Sequence, residues 1–248
     1  GSSATSPVFG TGLAVQPVEG QERLNPVLTM CHEIIIDSAG PGRFRGGCGV
    51  EKGGKLTQVD KTVMSYCCDR GRSVTWGING GLPSVPHGVW LNKGTPDEKY
   101  LGVTFSNVTV RSGDTFTRPS AGGGGFGDPL ERDEEAVLED VIDGYVSVER
   151  AERDYGVVIQ VNDPDIDDYE INAERTAKAR EWIRTNRREW LQTPPEDVAK
   201  QYRDGELNVL DVIRRYGVVL DWGTGELLEK STRQYRDSLD KRSSSFWT

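Results

Sequence analysis

Histidine is the scarcest catalytic residue type in this chain, which has only His32 and His87 among its 248 residues. A Ser-His-Asp triad also needs an exposed nucleophile, and the sequence has no G-x-S-x-G string to supply one. The C-x-x-C and H-x-x-x-H spacings of zinc sites are absent as well. We therefore expect neither a triad hydrolase nor a metal ligand in this chain, although cysteines are present at Cys31, Cys48, Cys67 and Cys68.

Long apolar runs and an excess of positive charge are also missing. No stretch approaches the ~18 apolar residues of a membrane helix, and the first residues, GSSATSPVFG, lack the basic and apolar regions of a secretion signal. The net charge of −9 argues against a broad contact with nucleic acid or an anionic membrane surface. Four cysteines without such a signal fit a reducing compartment. The sequence thus predicts a cytoplasmic protein with no nucleic-acid or membrane partner.

Glycine and charge are distributed unevenly. Residues 1–125 carry 23 of the 30 glycines and a net charge of +2, whereas residues 126–248 carry 7 glycines and a net charge of −11. This break predicts two regions, a glycine-rich β region over 1–125 and a mainly helical, acidic region over 126–248 with a β-hairpin near 217–228. The fold class predicted is α+β, with an antiparallel sheet or sandwich.

Local patterns place the elements. Short β-branched runs bounded by turn residues predict strands at 27–30, 33–37, 55–59, 61–66, 89–91, 100–105 and 108–111, and a further strand leaving the turn SAGPG at 38–42. In the second half, capping residues and a 3.6-residue apolar period predict helices from about 133 to 144, 147 to 156, 172 to 191 and 230 to 241, with a strand at 157–161.

Two glycine-rich strings are the strongest candidates for function. The string AGGGGFGDPLERD begins at Ala121, and its bare amides suit either a bound anion or a close crossing of backbones. In SAGPGRFRGGCG, Arg43 and Arg45 fall on one face of an extended chain. They could grip a phosphate or carboxylate, or pair with local acids.

These strings also carry a resemblance to a known family. The ordered segments DSAGPGRFRGGCGVE, DRGRSVTWGINGG and GGGGFGDPLERDEEAVLEDVIDGYVSVERAERDYGVV resemble the C-terminal part of the hydantoinase B/oxoprolinase family over about residues 25–158. The tail VLDWGTGELLEKSTRQYRDSLDKRSSSFW is similar to members near the acetophenone and acetone carboxylases. Family members are usually more than twice this length, so we expect a C-terminal fragment or a separately encoded half. The first residues, GSSATSPVF, fit a cleavage seam, a disordered connection or a cloning scar equally well.

The resemblance implies a divided chemistry. A hydantoinase A-type partner would use ATP and Mg²⁺ to phosphorylate an enolate or amide oxygen, and the B-type subunit would complete carboxylation or hydrolysis. Partners would be that subunit, the N-terminal half of the B-type subunit and a small-molecule substrate: a ketone, hydantoin, oxoproline or lactam. Any Zn or Mn would lie elsewhere in the complex. A non-catalytic scaffold half is the alternative.

Candidate residues come from the two glycine-rich strings and from one of the two histidines. Candidates for catalysis are His87 and Asp128, with capping of the following helix as the alternative for Asp128. Candidates for binding a substrate or anion are Arg43, Arg45, Gly122, Gly123, Gly124 and Gly125.

Overall fold

A computed structural model describes residues 1–3 and 17–240 of the chain. Most of the first segment, GSSATSPVF, and residue 241 of the predicted last helix lie outside these ranges. The α+β prediction is confirmed, because antiparallel strands fill the first half and helices the second. No helix in the described ranges is long and apolar enough to cross a membrane.

The first half forms two antiparallel sheets. A short helix, α1 (Val18–Leu24), precedes the strands β1 (Val27–Ile34), β2 (Val50–Leu56), β3 (Lys61–Cys67), β4 (Val89–Leu91), β5 (Lys99–Gly102), β6 (Thr104–Arg111) and β7 (Thr115–Pro119). The larger sheet has the order β1-β2-β7-β4-β5, and β3 pairs with β6 in a separate ribbon. Leu56 and Leu91 of the larger sheet pack with Val110 of the ribbon in one buried cluster. The two sheets therefore share a core.

The second half is mainly helical. It contains α2 (Glu134–Ile142), α3 (Val148–Tyr155), α4 (Ala173–Gln192), α5 (Pro195–Arg203), α6 (Val209–Arg214) and α7 (Glu229–Asp240), with the small hairpin β8 (Ile159–Asp163) and β9 (Asp168–Ile171) between α3 and α4. Asp133, Ser147 and Asn172 cap α2, α3 and α4 through their side chains. Three predicted helix starts are thereby confirmed.

The structure differs from the predictions at segments whose conformation depends on contacts with residues that are distant in sequence. No strand leaves the turn at 38–42; residues 43–49 run irregularly, with one β-bridge at Phe44, until β2 begins. The hairpin predicted near 217–228 is reduced to a single bridge between Leu220 and Leu227. Helix α5 lies outside the predicted helices; it begins at Pro195, and proline is favoured in a first helical turn.

Three glycine-rich segments, 38–49, 76–82 and 120–127, cross one another between the two halves, and we call them the glycine hub. The Gly40 amide donates to the carbonyl of Gly123 (2.7 Å), and the Gly123 amide donates to Gly47 (2.8 Å). The Gly125 amide donates to Leu82 (3.0 Å), and its carbonyl accepts from Ile78 (2.9 Å). The string at 122–125 thus bonds to both of the other segments.

The hub has no room for side chains at most of its glycines. A Cβ at Gly122 would overlap the carbonyl of Ser38, one at Gly124 the carbonyl of Trp76, and one at Gly125 the carbonyl of Pro41. Because these neighbours are backbone atoms, they cannot rotate away as a flexible side chain would. The alternative of a close backbone crossing is the one that the geometry supports.

Gly125→Ala tests this crossing. We expect the free energy of unfolding to fall by about 1–3 kcal/mol or more, since the added methyl forces backbone apart in a packed region. Gly123→Ala is the matched control in the same string, because its Cβ would lie 3.2 Å from the nearest atom, the Gly47 amide nitrogen. Urea denaturation of both variants provides the measurement. Equal losses for the two variants would contradict the crossing geometry.

Candidate functional site

One face of the glycine hub is exposed and apolar. Phe126 forms a β-bridge to Phe44 on one side and to Ile78 on the other. The three side chains remain 46%, 59% and 62% exposed respectively. The guanidinium of Arg43 lies 5.8 Å above the ring of Phe44 and has no ion pair among the residues that the structure describes. We call Arg43, Phe44, Ile78 and Phe126 the hub face; it offers three apolar side chains and one available cation.

Arg45 does not share the environment of Arg43. Its guanidinium pairs with Asp140 of α2 (Nη2 to Oδ1, 3.0 Å), and its side chain is only 10% exposed. It also lies 4.7 Å above the ring of Tyr145 and donates to the carbonyl of Gly46 (2.8 Å). The pairing with a carboxylate matches the structural alternative in the sequence analysis, so Arg45 attaches the hub to the helical half.

Two of the four amides of the glycine string at 122–125 are occupied. Those of Gly123 and Gly125 already donate to carbonyls of the hub. An anion bound by these two amides would therefore have to displace backbone hydrogen bonds. Anion binding stays a prediction for the four glycines Gly122, Gly123, Gly124 and Gly125. In the structure their backbone packs against the backbone of the other hub segments.

Asp128 is engaged on both carboxylate oxygens. Oδ1 caps the 3₁₀ turn at Pro129–Glu131 by accepting from the amide of Leu130 (2.9 Å). Arg187 of α4 holds both oxygens, through Nη2 to Oδ1 (2.6 Å) and Nη1 to Oδ2 (2.7 Å). A catalytic role for Asp128 stays a prediction, and it would require this buried pair to open.

His87 is buried away from solvent, and no hydrogen bond joins it to Arg45 or Asp128 within the described residues. Its Nε2 bonds to the carbonyl of Asp69 and lies 3.7 Å from the Sγ of Cys68. A carbonyl only accepts, so Nε2 carries the proton and cannot take one from the thiol. Burial lowers the pKa of His87, and the carbonyls of Asp69 and Pro119 raise it in part.

The comparison with protein families bears directly on the glycine hub. The family model for hydantoinase B/oxoprolinase matches residues 1–129, just over half of the chain, and so includes all three hub segments. This chain belongs to the hydantoinase B/oxoprolinase family.

Two curated family members and one solved structure illustrate the relationship. The caprolactamase subunit beta of Pseudomonas jessenii is 31% identical over 164 residues, covering 64% of this chain and 28% of that protein. The acetophenone carboxylase delta subunit of Aromatoleum aromaticum is 26% identical over 231 residues, covering 79% of this chain and 33% of that protein. A nucleotide-free acetone carboxylase structure matches with a TM-score of 0.64 at 22% identity, covering 99% of this chain and 35% of that one, which shows a shared fold. The chain spans about a quarter to a third of the curated relatives' length.

Sequence reasoning missed the buried ion pairs that attach this hydantoinase B-type hub to the helices. Asp140 receives Arg132 (2.7 Å) as well as Arg45. Arg214 of α6 pairs with Asp154 (2.6 Å) and donates to the carbonyls of Asp37 (2.7 Å) and Ala39 (2.8 Å) in the strand-to-hub connection.

One pattern in the sequence indicates that Asp140 is buried and paired. It lies three residues after Val137 and one before Val141, and all three are buried on the same side of α2, whereas Ile142 is exposed. An acidic residue in phase with the apolar stripe of a helix indicates a buried partner of opposite charge.

The part of the chain that the structure describes offers no cluster of metal-binding side chains. No three of its His, Cys, Asp and Glu side chains lie close enough to hold a metal ion. The expectation that any divalent metal of a larger complex lies outside this chain stays a prediction.

Asp140→Asn tests the attachment of the hub to α2. The change leaves Arg45 and Arg132 without a buried counter-charge, so we expect a loss of about 3–5 kcal/mol in the free energy of unfolding. Glu174→Gln, which removes the exposed pair with Lys178 on α4, is the control and should change stability by less than about 1 kcal/mol. Chemical denaturation at neutral pH distinguishes them. A small effect of Asp140→Asn would contradict the attachment.

His87 predicts a pH dependence of stability. Burial lowers its folded-state pKa, so the unfolded chain takes up a proton first as the pH falls through about 6.5. The contribution of His87 to the free energy of unfolding is at its maximum above that pH and decreases as the pH falls below it.

His87→Gln should therefore reduce the slope of unfolding free energy between pH 7.5 and 5.5. The matched control, His32→Gln on the exposed part of β1, should keep the wild-type slope. If the His87 variant also kept that slope, His87 would not be the titrating group.

Proposed function

We propose that this chain is the C-terminal portion of a hydantoinase B-type subunit in an ATP-dependent carboxylase complex. A hydantoinase A-type partner, which holds ATP and Mg²⁺, phosphorylates a ketone on its enolate oxygen. The B-type subunit then completes carboxylation of the activated species. This chain contributes a folded platform around the glycine hub and the surfaces through which the other parts attach.

The extent of the sequence matches favours a carboxylase over a cyclic amide hydrolase. The match to the acetophenone carboxylase subunit covers 79% of the chain, whereas the match to the caprolactamase subunit covers 64%. Both matches cover more of the chain than the family model's residues 1–129, and the carboxylase match is the longer of the two. This longer match is the observation that carries the proposal. An ATP-dependent hydantoinase, oxoprolinase or lactamase is the alternative.

Exposed apolar surface supports attachment to other polypeptides. β1 is an edge strand of the five-stranded sheet, and Leu28, Met30 and Ile34 along it are exposed. Natural edge strands usually carry charges or are covered, because unpaired apolar edges aggregate. The hub face adds a second apolar surface with the cation of Arg43 beside it. Both surfaces suit the N-terminal half of the B-type subunit or the A-type partner.

The internal contacts favour a scaffold role for the hub itself. Arg45 and Asp128 are held in buried pairs, and the amides of Gly123 and Gly125 bond to backbone. Groups that are fixed in this way hold neighbouring segments in position. Among the predicted site residues, Arg43 is the one that lies on an open surface. We propose that the reacting groups of the second step lie largely in the rest of the B-type subunit.

The cysteines fit a reducing compartment. All four are free thiols in the structure. Because structural disulfides are typical of oxidising compartments, the cytoplasm is the location that we propose for the complex.

Reconstitution tests the proposal. The chain is co-expressed with the A-type subunit and the rest of the B-type subunit, and ATP-dependent incorporation of labelled bicarbonate into a ketone is measured beside ATP-dependent opening of a hydantoin or lactam ring. We expect carboxylation only with all components present. Ring opening without carboxylation would favour the hydrolase alternative, and turnover by this chain alone would refute the division of labour.

Surface variants test the docking surfaces in the same complex. Met30→Asp and Phe126→Asp should each weaken assembly, measured by size exclusion with light scattering, because a charge is placed in an apolar contact. Their folding should be unchanged, since both side chains are already exposed. Ile166→Asp, on the exposed turn between β8 and β9, is the control. Full assembly of both docking variants would show that neither surface is covered.

A further inference from the structure

A second concave site lies in the helical half, away from the hub face. A cavity of about 530 Å³ opens between α3, α4 and the residue that follows α6. This volume is within the range of about 300–1,000 Å³ that is usual for small-molecule pockets. Its apolar lining comes from Val158, Ala179 and Ile183, together with the ring of Trp182, which is 52% exposed.

The lining is basic, although the surrounding half of the chain has a net charge of −11. Four cationic side chains border the cavity against one carboxylate, that of Glu152; they are Arg153, Arg175, Lys178 and Arg215. Carboxylates outside the lining already pair with two of the four cations, Glu174 with Lys178 and Glu149 and Asp211 with Arg153.

Arg175 and Arg215 are less fully compensated. Arg175 is exposed in the first turn of α4 and has no ion pair among the described residues. Arg215 is largely buried, and its Nε has no hydrogen-bond partner within the described residues. Its nearest carboxylate contact, Asp211 Oδ1, lies 3.8 Å away.

The aromatic neighbours fix the guanidinium of Arg215. It lies 5.0 Å from the centre of the Trp190 ring and 5.9 Å from that of Trp182. Burial lowers the pKa of Arg215, with partial compensation from Asp211. A planar guanidinium whose Nε makes no hydrogen bond to the described residues, and lies 3.8 Å from the oxygen of Asp211, suits a charge-assisted contact with a bound carboxylate.

From this combination we propose that the cavity binds a small carboxylate with a flat apolar ring. The ring packs on Trp182 and the apolar lining, and the carboxylate lies between Arg175 and Arg215. A neutral ligand would leave the two cations without a counter-charge. An inorganic anion would leave the apolar lining of the cavity exposed to water. This site is independent of the glycine hub and goes beyond the function proposed above.

Calorimetric titration of the full chain tests the site with 1-naphthoate as the probe and 1-naphthamide as its neutral match. We expect the acid to bind at least tenfold more tightly than the amide, because charge-assisted hydrogen bonds distinguish them. Arg175→Gln should remove most of that difference. Trp182→Ala should weaken both ligands. Both side chains are exposed, so the variants are expected to fold, which circular dichroism verifies.

Arg184→Gln is the matched control, since Arg184 is on the same helix but does not line the cavity. It should bind the acid with unchanged affinity. Equal affinities for acid and amide, an unchanged affinity in both Arg175→Gln and Trp182→Ala, or no binding of the acid at millimolar concentration would each overturn the proposal. Arg215→Met provides a second charge variant with the same expected loss for the acid.

Discussion

Main chain packs directly against main chain at the glycine hub, and the rest of the structure depends on that contact. The Gly125 carbonyl bonds to Ile78 while its amide bonds to Leu82, so one residue joins segment 120–127 to both edges of the turn at 76–82. Segment 38–49 crosses on the other side through Gly40 and Gly123. A methyl group at this spacing overlaps backbone, which explains why glycine is concentrated in these three segments rather than spread through the sheets.

Buried ion pairs add to apolar packing in attaching the hub to the helices, where the ring of Trp76 stacks on Tyr235 of α7 at 4.8 Å between ring centres. Arg45 reaches Asp140 on α2, Asp128 receives Arg187 from α4, and Arg214 of α6 binds the carbonyls of Asp37 and Ala39. Buried ion pairs give little net stability compared with apolar packing, but an unpaired buried charge is costly. Such pairs therefore select one arrangement of the helices around the hub more than they strengthen it.

Local chemistry made part of this fold predictable. The caps at Asp133, Ser147 and Asn172 lie within a few residues of the helices that they start, so the sequence indicates them directly. The five-stranded sheet was less accessible, because β7 pairs with β2 and β4, which are distant in sequence. The two arginines were also only partly predictable. An extended chain places Arg43 and Arg45 on one face, but the partner of each depends on contacts that are distant in sequence: the position of Asp140 on α2 and the bridge at Phe44.

The candidate site, too, was predictable from local sequence only in part. The strings around Arg43 and Gly122 meet in space, and both lie within the residues that the family model matches. Their roles depend on which groups remain available after folding. Backbone carbonyls occupy the Gly123 and Gly125 amides, and Arg187 occupies Asp128, whereas Phe44, Ile78 and Phe126 remain exposed beside Arg43. A segment whose polar groups are used internally and whose apolar groups face outward acts on other molecules chiefly through contact, and this is why an assembly surface follows from the hub more directly than a catalytic centre does.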